Sequence, residues 1–345
     1  GRREKLRIFI ALMDMNRRKN KRKGVLSMEL LRKQMQDGML GLAVGDALGV
    51  PVEFRSREVL KQNPVTGMRA YGTHNQPAGT WSDDTTMALC TLESLTKGVD
   101  YDDMMDRFCR WVEEGYMTPH GKLFDIGRTT LHALRMYSSG VPALQCGGTD
   151  VRDNGNGSLM RILPAVFYLR REYGPACMEK AEAFELIHNL SRLTHGHEIS
   201  QIACGLYCDM ANGLMNGKTM AEAVNHAALT KDRWYGEQEE FSPWLPEFDF
   251  VNAETLAVLP EEAIKSGGYV VDTLRAALWC LLTTRSYRDC MLKAVNLGSD
   301  TDTVAAVAGG LAGILYGAES IPEDWLKVLA KKEEIIRLCE AFFPV

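Results

Sequence analysis

Residues 298–316 read GSDTDTVAAVAGGLAGILY, an acidic, hydroxyl-rich start followed by a run of small apolar residues. Val304, Val307, Ala308, Leu311, Ala312 and Leu315 recur at helical spacing, which predicts an amphipathic helix. Alanine and glycine fill its other faces, so a neighbouring backbone can approach closely. The apolar part, Val304 to Tyr316, is too short and too glycine-broken to span a bilayer, which takes about 20 residues. Its stripe must therefore be covered by other helices of the same chain.

The same period recurs outward from this run. Val270, Leu274, Ala277, Leu278 and Leu281 form a second stripe, and others pass through 38–48, 83–97, 101–114, 125–137, 158–171, 180–193, 197–212, 219–229, 286–296 and 322–341. Alternating β-branched runs are scarce. Residues 138–157, rich in Gly, Asn and Asp, read as loop, and 232–260 as an irregular excursion with three prolines. The pattern predicts an all-α, compact single-domain bundle of many helices over 25–345.

With 345 residues, 46% hydrophobic and 25% charged, the chain can bury a large core, which excludes a disordered tail or a short peptide module. The net charge of −5 hides an asymmetry: residues 1–24 hold ten Lys/Arg against Glu4 and Asp14, a net of +8, leaving −13 for 25–345. A basic N-terminal arm is thus set against an acidic body, and nucleic acid is a poor partner for that body. Leu6, Phe9, Ile10 and Met13 share one helical face of the arm, but its apolar patch is short and Asp14 follows, unlike a secretory signal. Nine cysteines without a CxxC pair read as reduced thiols of a cytoplasmic protein.

Two strings carry the chemistry. Gly79-Thr80-Trp81-Ser82-Asp83-Asp84-Thr85-Thr86 and Gly298-Ser299-Asp300-Thr301-Asp302-Thr303 both lead a turn into a helix with hydroxyls and paired aspartates. Helix capping explains one acid at each start. If the starts converge, each carboxylate pair about 6 Å apart repels by roughly 3 kcal/mol at an effective dielectric near 20, and a divalent cation removes that penalty. Oxygen donors without Cys or His suit Mg²⁺ or Mn²⁺.

These strings, with GLAVGDALGVPVEF (41–54), FDIGRTT (124–130), GNGSLMR (155–161), LTHGH (193–197) and SGGYVVDTLRAALW (266–279), resemble the ADP-ribosylglycohydrolase family over about residues 34–318. The resemblance implies an all-α bundle with two Mg²⁺ (or Mn²⁺) ions held by Ser82, Asp83, Asp84, Asp300, Asp302 and Thr303. It implies Glu53, Asp83 and Asp302 as catalytic residues, with Glu53 as general base or gate. Gly155, Asn156, Gly157 and Ser158, with Met160 and Arg161 behind them, would form a diphosphate loop. His195, Gly268 and Tyr269 would contact ADP-ribose, with His197 a weaker candidate, and Asp272 would cap or buttress the helix that Gly268 and Tyr269 open. Asp125 matches an aspartate on the guanidinium side in arginine-specific members, although Arg128 departs from their small polar residue.

The activity implied is metal-dependent removal of ADP-ribose from a protein side chain, arginine above all, by water attack at C1″ of the ribose. Some members protect bacteria from ADP-ribosyltransferase toxins, which points to residues 1–24 docking on a cognate toxin and plugging its NAD⁺ cleft; a membrane-surface or nucleic-acid tail and a solvated tail stay open for the arm. Two other activities stay open: a non-catalytic ADP-ribose-binding or structural member, and a hydrolase of a small ADP-ribose ester such as O-acetyl-ADP-ribose.

Overall fold

The structure of the chain, a computed structural model, describes residues 2–343. Fifteen α-helices follow in order: α1 (Arg2–Gly49), α2 (Arg57–Gln62), α3 (Asp83–Thr96), α4 (Tyr101–Glu114), α5 (Arg128–Ser138), α6 (Leu163–Tyr173), α7 (Ala181–Arg192) and α8 (Glu198–Met215), then α9 (Met220–Thr230), α10 (Ala253–Ala257), α11 (Val270–Leu282), α12 (Tyr287–Val295), α13 (Thr301–Tyr316), α14 (Glu323–Val328) and α15 (Lys332–Ala341). Among the described residues the only β pairing is three isolated bridges. The all-α expectation holds. The side chains of residues 1–14 and 16–26 lie outside the described residues, and with them the readings placed on the basic arm; the backbone of α1 runs without a break across residue 24.

Helix α13 is the axis of the bundle, buried from Thr301 to Ile314 and packed by α1, α8, α11 and α12. Its small residues meet a matching row on α1. A Cβ on Gly41 would lie 2.3 Å from the Gly309 carbonyl oxygen, one on Gly45 2.2 Å from that of Ala305, and one on Gly49 2.3 Å from Asp302 Cα. Any side chain there would push the helices apart, so the four-residue glycine spacing sets their separation. The end of α1 is thereby delivered to the start of α13.

Three predicted elements differ. The helix expected at 158–171 begins only at Leu163, where Pro164 suits a first turn, and a 3₁₀ turn covers Leu159–Arg161. The helix expected from 125 starts at Arg128, leaving Asp125 on a loop. The run 322–341 splits into α14 and α15: Ala330 N donates to Gly79 O (2.9 Å) and Trp81 Nε1 to Ala330 O (2.8 Å), so the chain bends over the turn that precedes α3. The excursion at 232–260 is irregular as expected, with a π turn over Lys231–Tyr235.

Candidate active site

The two acidic helix starts meet. At α3, Ser82 is the N-cap, and Asp46 serves the free N–H groups from the end of α1. Its carboxylate accepts from Ser82 N (2.9 Å), Thr85 N (3.0 Å) and Thr85 Oγ1 (2.6 Å), and Ser82 Oγ lies 2.7 Å away. A negative charge is unfavourable at a helix C-terminus and favourable at an N-terminus, so Asp46 gains by spanning the two.

At α13 the approach is different. Phe54 N donates to Ser299 O (2.7 Å) and Ser299 N to Arg55 O (2.8 Å), tying the segment after α1 to the turn before α13. Gly298 makes that turn at φ +74°, where a Cβ would lie 2.7 Å from Arg55 O. Glu53 is set beside Asp300 and Asp302 as a result.

Oxygens of Asp46, Asp84 and Asp302 fall within 4.8 Å of one another, as do those of Glu53, Asp300 and Asp302, and Glu53 and Asp125 with a ring nitrogen of His74. Shared members join the three groups into one acidic chain. Burial drives the carboxyl pKa of Asp83, Asp84 and Asp302 well above the usual range, with mutual repulsion adding to it. Burial pushes Asp46 up to about 6 despite its four donors, and Glu53 up to about 7 despite a bond from His74. That bond, Glu53 Oε2 to His74 Nε2, raises the imidazole pKa in turn.

Two observations show what this floor would accept. Asp84 Oδ1 is buried with no hydrogen-bond partner among the described residues. Ser82 Oγ lies 2.7 Å from Asp46 and 2.9 Å from Asp84, yet its hydroxyl has one proton to give. The surplus consists of hard oxygen acceptors, and Thr303 Oγ1 stands 3.3 Å from Asp84 Oδ2 within it. The donor set fits a small divalent cation such as Mg²⁺ or Mn²⁺.

Above the floor opens a cleft of about 370 Å³, lined among others by Glu53, Asp83, Asp125, Arg128, Gly155, Asn156, Gly157, Met160, His195, Gly268, Asp300 and Thr303. Ser82, Asp84 and Asp302 are buried beneath it. A larger cavity of about 660 Å³, lined by His188, Arg192, Trp234 and Phe241, contains none of the acidic strings. Asp125 is half-buried, and burial raises its carboxyl pKa.

The loop at 155–158 departs from the expected phosphate cradle in three ways. Asn156 N is already given to Gly268 O (3.0 Å), so that N–H is spent. Ser158 Oγ points inward, 2.8 Å from Ser191 Oγ and 3.5 Å from Cys204 Sγ. Arg161 is fully buried and gives Nη2 to Leu190 O (2.9 Å) and Thr194 Oγ1 (2.7 Å), because the 3₁₀ turn rotates it away from the cleft. Tyr269 is half-exposed at the loop's edge, with its hydroxyl donating to Glu247 (2.8 Å). Asn156 instead positions an acid: its Nδ2 donates to Asp300 Oδ2 (2.7 Å) and Thr273 Oγ1 (2.9 Å). His197 caps α8 through Ile199 N (3.2 Å).

Asp46 and His74 went unread in the sequence. A carboxylate inside the apolar run GLAVGDALGV was the available signal for Asp46; His74 sits in a turn with no local motif.

Residues 27–345 match the ADP-ribosylglycohydrolase family. The chain belongs to this family. This glycohydrolase is an enzyme, as the resemblance implied, and three relatives bear on it. It is 33% identical over 307 residues to the ADP-ribosylarginine hydrolase Tri1 of Serratia proteamaculans (strain 568), covering 88% of this chain and 77% of that protein. It is 31% identical over 308 residues to the ADP-ribosyl-(dinitrogen reductase) glycohydrolase of Rhodospirillum rubrum, covering 86% and 90%. A solved ADP-ribosylglycohydrolase-related protein complex superposes with a TM-score of 0.74 at 32% identity, covering 91% of this chain and 98% of that one. All nine cysteines of the glycohydrolase are unpaired, eight of them buried. No helix among the described residues is long and apolar enough to cross a membrane.

Proposed function

We propose that the enzyme removes ADP-ribose from modified arginine in proteins, with water attacking C1″ of the ribose. The observation that carries this reading is Asp125 beside Glu53, above the acidic floor, in a chain one-third identical to an ADP-ribosylarginine hydrolase. Asp125 would pair with the guanidinium leaving group, a planar donor suited to a carboxylate. Glu53, on the cleft wall beside Asp300 and Asp302, can take a proton from the attacking water and later return it. His74 holds that carboxylate in place through Nε2.

Ser82, Asp83, Asp84, Asp300, Asp302 and Thr303 would hold two divalent cations, which supply positive charge for the ribose hydroxyls and acidify bound water. Asp83, Asp300 and Thr303 reach the cleft, whereas Asp84 and Asp302 support them from below. Residues 1–24, with their net charge of +8, would dock on an ADP-ribosyltransferase, protecting against it by occlusion as well as by hydrolysis. The reduced thiols fit work in the cytoplasm.

One assay tests the reading: release of ADP-ribose from arginine-modified and serine-modified proteins, with Mg²⁺ or EDTA, by the full chain and by a variant lacking residues 1–24. Release from arginine, abolished by EDTA and independent of the arm, is expected. Release from serine alone would overturn the substrate assignment, and release in EDTA would overturn the metal.

A further inference from the structure

Arg161 is fully buried, and the only acceptors it reaches among the described residues are Leu190 O and Thr194 Oγ1, with Nε and Nη1 unpartnered. The Phe108 ring lies under it at 5.1 Å, and no carboxylate balances its charge at salt-bridge distance among the described residues. A buried guanidinium is costly, so what it touches is informative.

A guanidinium can only donate. Thr194 Oγ1 therefore accepts from Arg161 Nη2 at 2.7 Å, and His195 Nδ1, at 2.8 Å, is the one acceptor that its own hydroxyl proton reaches among the described residues. An Nδ1 that accepts must leave the ring proton on Nε2. We infer that Arg161 and Thr194 are positioning residues that fix His195 as its Nε2–H tautomer, so that this ring offers the cleft a hydrogen-bond donor for an oxygen of the ADP-ribose unit. The inference rests on the proposed ADP-ribose site.

The surroundings of the ring agree. Ser191 Oγ donates to His195 O (2.9 Å), and a bridge from Gly148 to His195 holds the backbone. Nε2 has no partner among the described residues, and it lies beside Gly155 and Gly157, which line the cleft together with His195. A Cβ on Gly157 would lie 2.6 Å from Cε1 and 3.1 Å from Nε2, so the glycine leaves room for this edge of the ring. Burial and the nearby Arg161 charge hold the imidazole pKa down to about 3, which keeps the ring neutral. A neutral, fixed donor recognises a phosphate, hydroxyl or ring oxygen and rejects a group that can only donate. His195 cannot act as a base through Nε2.

Long-range ¹H–¹⁵N correlation spectra of the imidazole rings at pH 7 test this, with His195 assigned by loss of its signals in His195→Gln. The wild type should show the Nε2–H pattern. Thr194→Val and Arg161→Met should lose it, and Thr194→Ser should keep it. KM for the ADP-ribosylated substrate should rise about tenfold in Thr194→Val, the scale of one neutral hydrogen bond, with a much smaller change in kcat. A purely structural role would not move the tautomer. A wild-type His195 protonated on Nδ1, or an Nε2–H pattern that survives in Thr194→Val, would overturn the inference. The wild-type spectrum decides the tautomer even where a variant fails to fold. Absence of both hydrolysis and ADP-ribose binding in the wild type would sink the proposed function while leaving the tautomer to the spectrum.

Discussion

The starts of α3 and α13 look alike in sequence and are built in opposite ways. At α3 the orphan N–H groups are served by Ser82 and by Asp46 from another helix, so Asp83 and Asp84 are surplus to capping. At α13 there is no side-chain cap from Asp300; Asn156 holds that carboxylate, and Asp302 turns back onto Thr303 N at 2.9 Å. One start borrows its cap and releases two acids. The other gives up a cap to point its acid at the cleft. Both routes bring unneeded negative charge to one place, which is hard to explain by stability alone.

Removing the surplus acid from one start has the largest expected effect. Asp302→Asn keeps the shape and removes one buried charge. Its expected effect is a fall of about 10³ in kcat/KM, roughly 4 kcal/mol of transition-state stabilisation, together with a metal-free protein that melts higher than the wild type. Steady-state kinetics and calorimetry check the two halves. Activity within tenfold of wild type would show that the acids do not carry the reaction.

Adding metal tests both starts together. Asp46 and Glu53 titrate at about 6 and about 7 in the fold, above ordinary carboxylates, so between about pH 4 and 7 the metal-free native state binds more protons than the unfolded chain. The stability they contribute is therefore present at low pH and is lost as pH rises through those values. A divalent cation competes with these protons. Its stabilisation, about 2.7 kcal/mol at 100 times Kd, should appear in full at pH 8 and shrink toward pH 5. Melting curves with and without Mg²⁺ at the two pH values measure it, and a gain independent of pH would place the ion elsewhere.

The contrast also separates what could be read along the chain from what could not. The stripe through Val304–Leu315 and the surplus acids are local patterns, so the all-α bundle and both strings were legible from spacing and composition. Their convergence was not, because it depends on Gly41, Gly45 and Gly49 docking α1 onto α13 across more than 250 residues of sequence. Asp46 was hidden for the same reason: its partners are the N–H groups of a helix that begins 37 residues later. Arg161 was misplaced because a glycine turn followed by an arginine resembles a phosphate loop, whereas one 3₁₀ turn points the guanidinium at Thr194. His74 acts through a contact that no local motif encodes.

The smallest test compares the two supporting residues directly. Asp46→Ala removes the borrowed cap of α3, leaving Ser82 N and Thr85 N without that acceptor, and relieves some repulsion with Asp84. The net should be a loss of about 1–2 kcal/mol in urea unfolding. Asn156→Ala leaves the cap of α3 untouched and frees only the Asp300 carboxylate and Thr273 Oγ1. Its cost in stability should be smaller, about 1 kcal/mol, while the apparent affinity for metal falls, because Asp300 no longer waits in one rotamer. Reversal of that order, with Asn156→Ala the less stable and Asp46→Ala the weaker metal binder, would mean that Asp46 belongs to the ion and Asn156 to the scaffold.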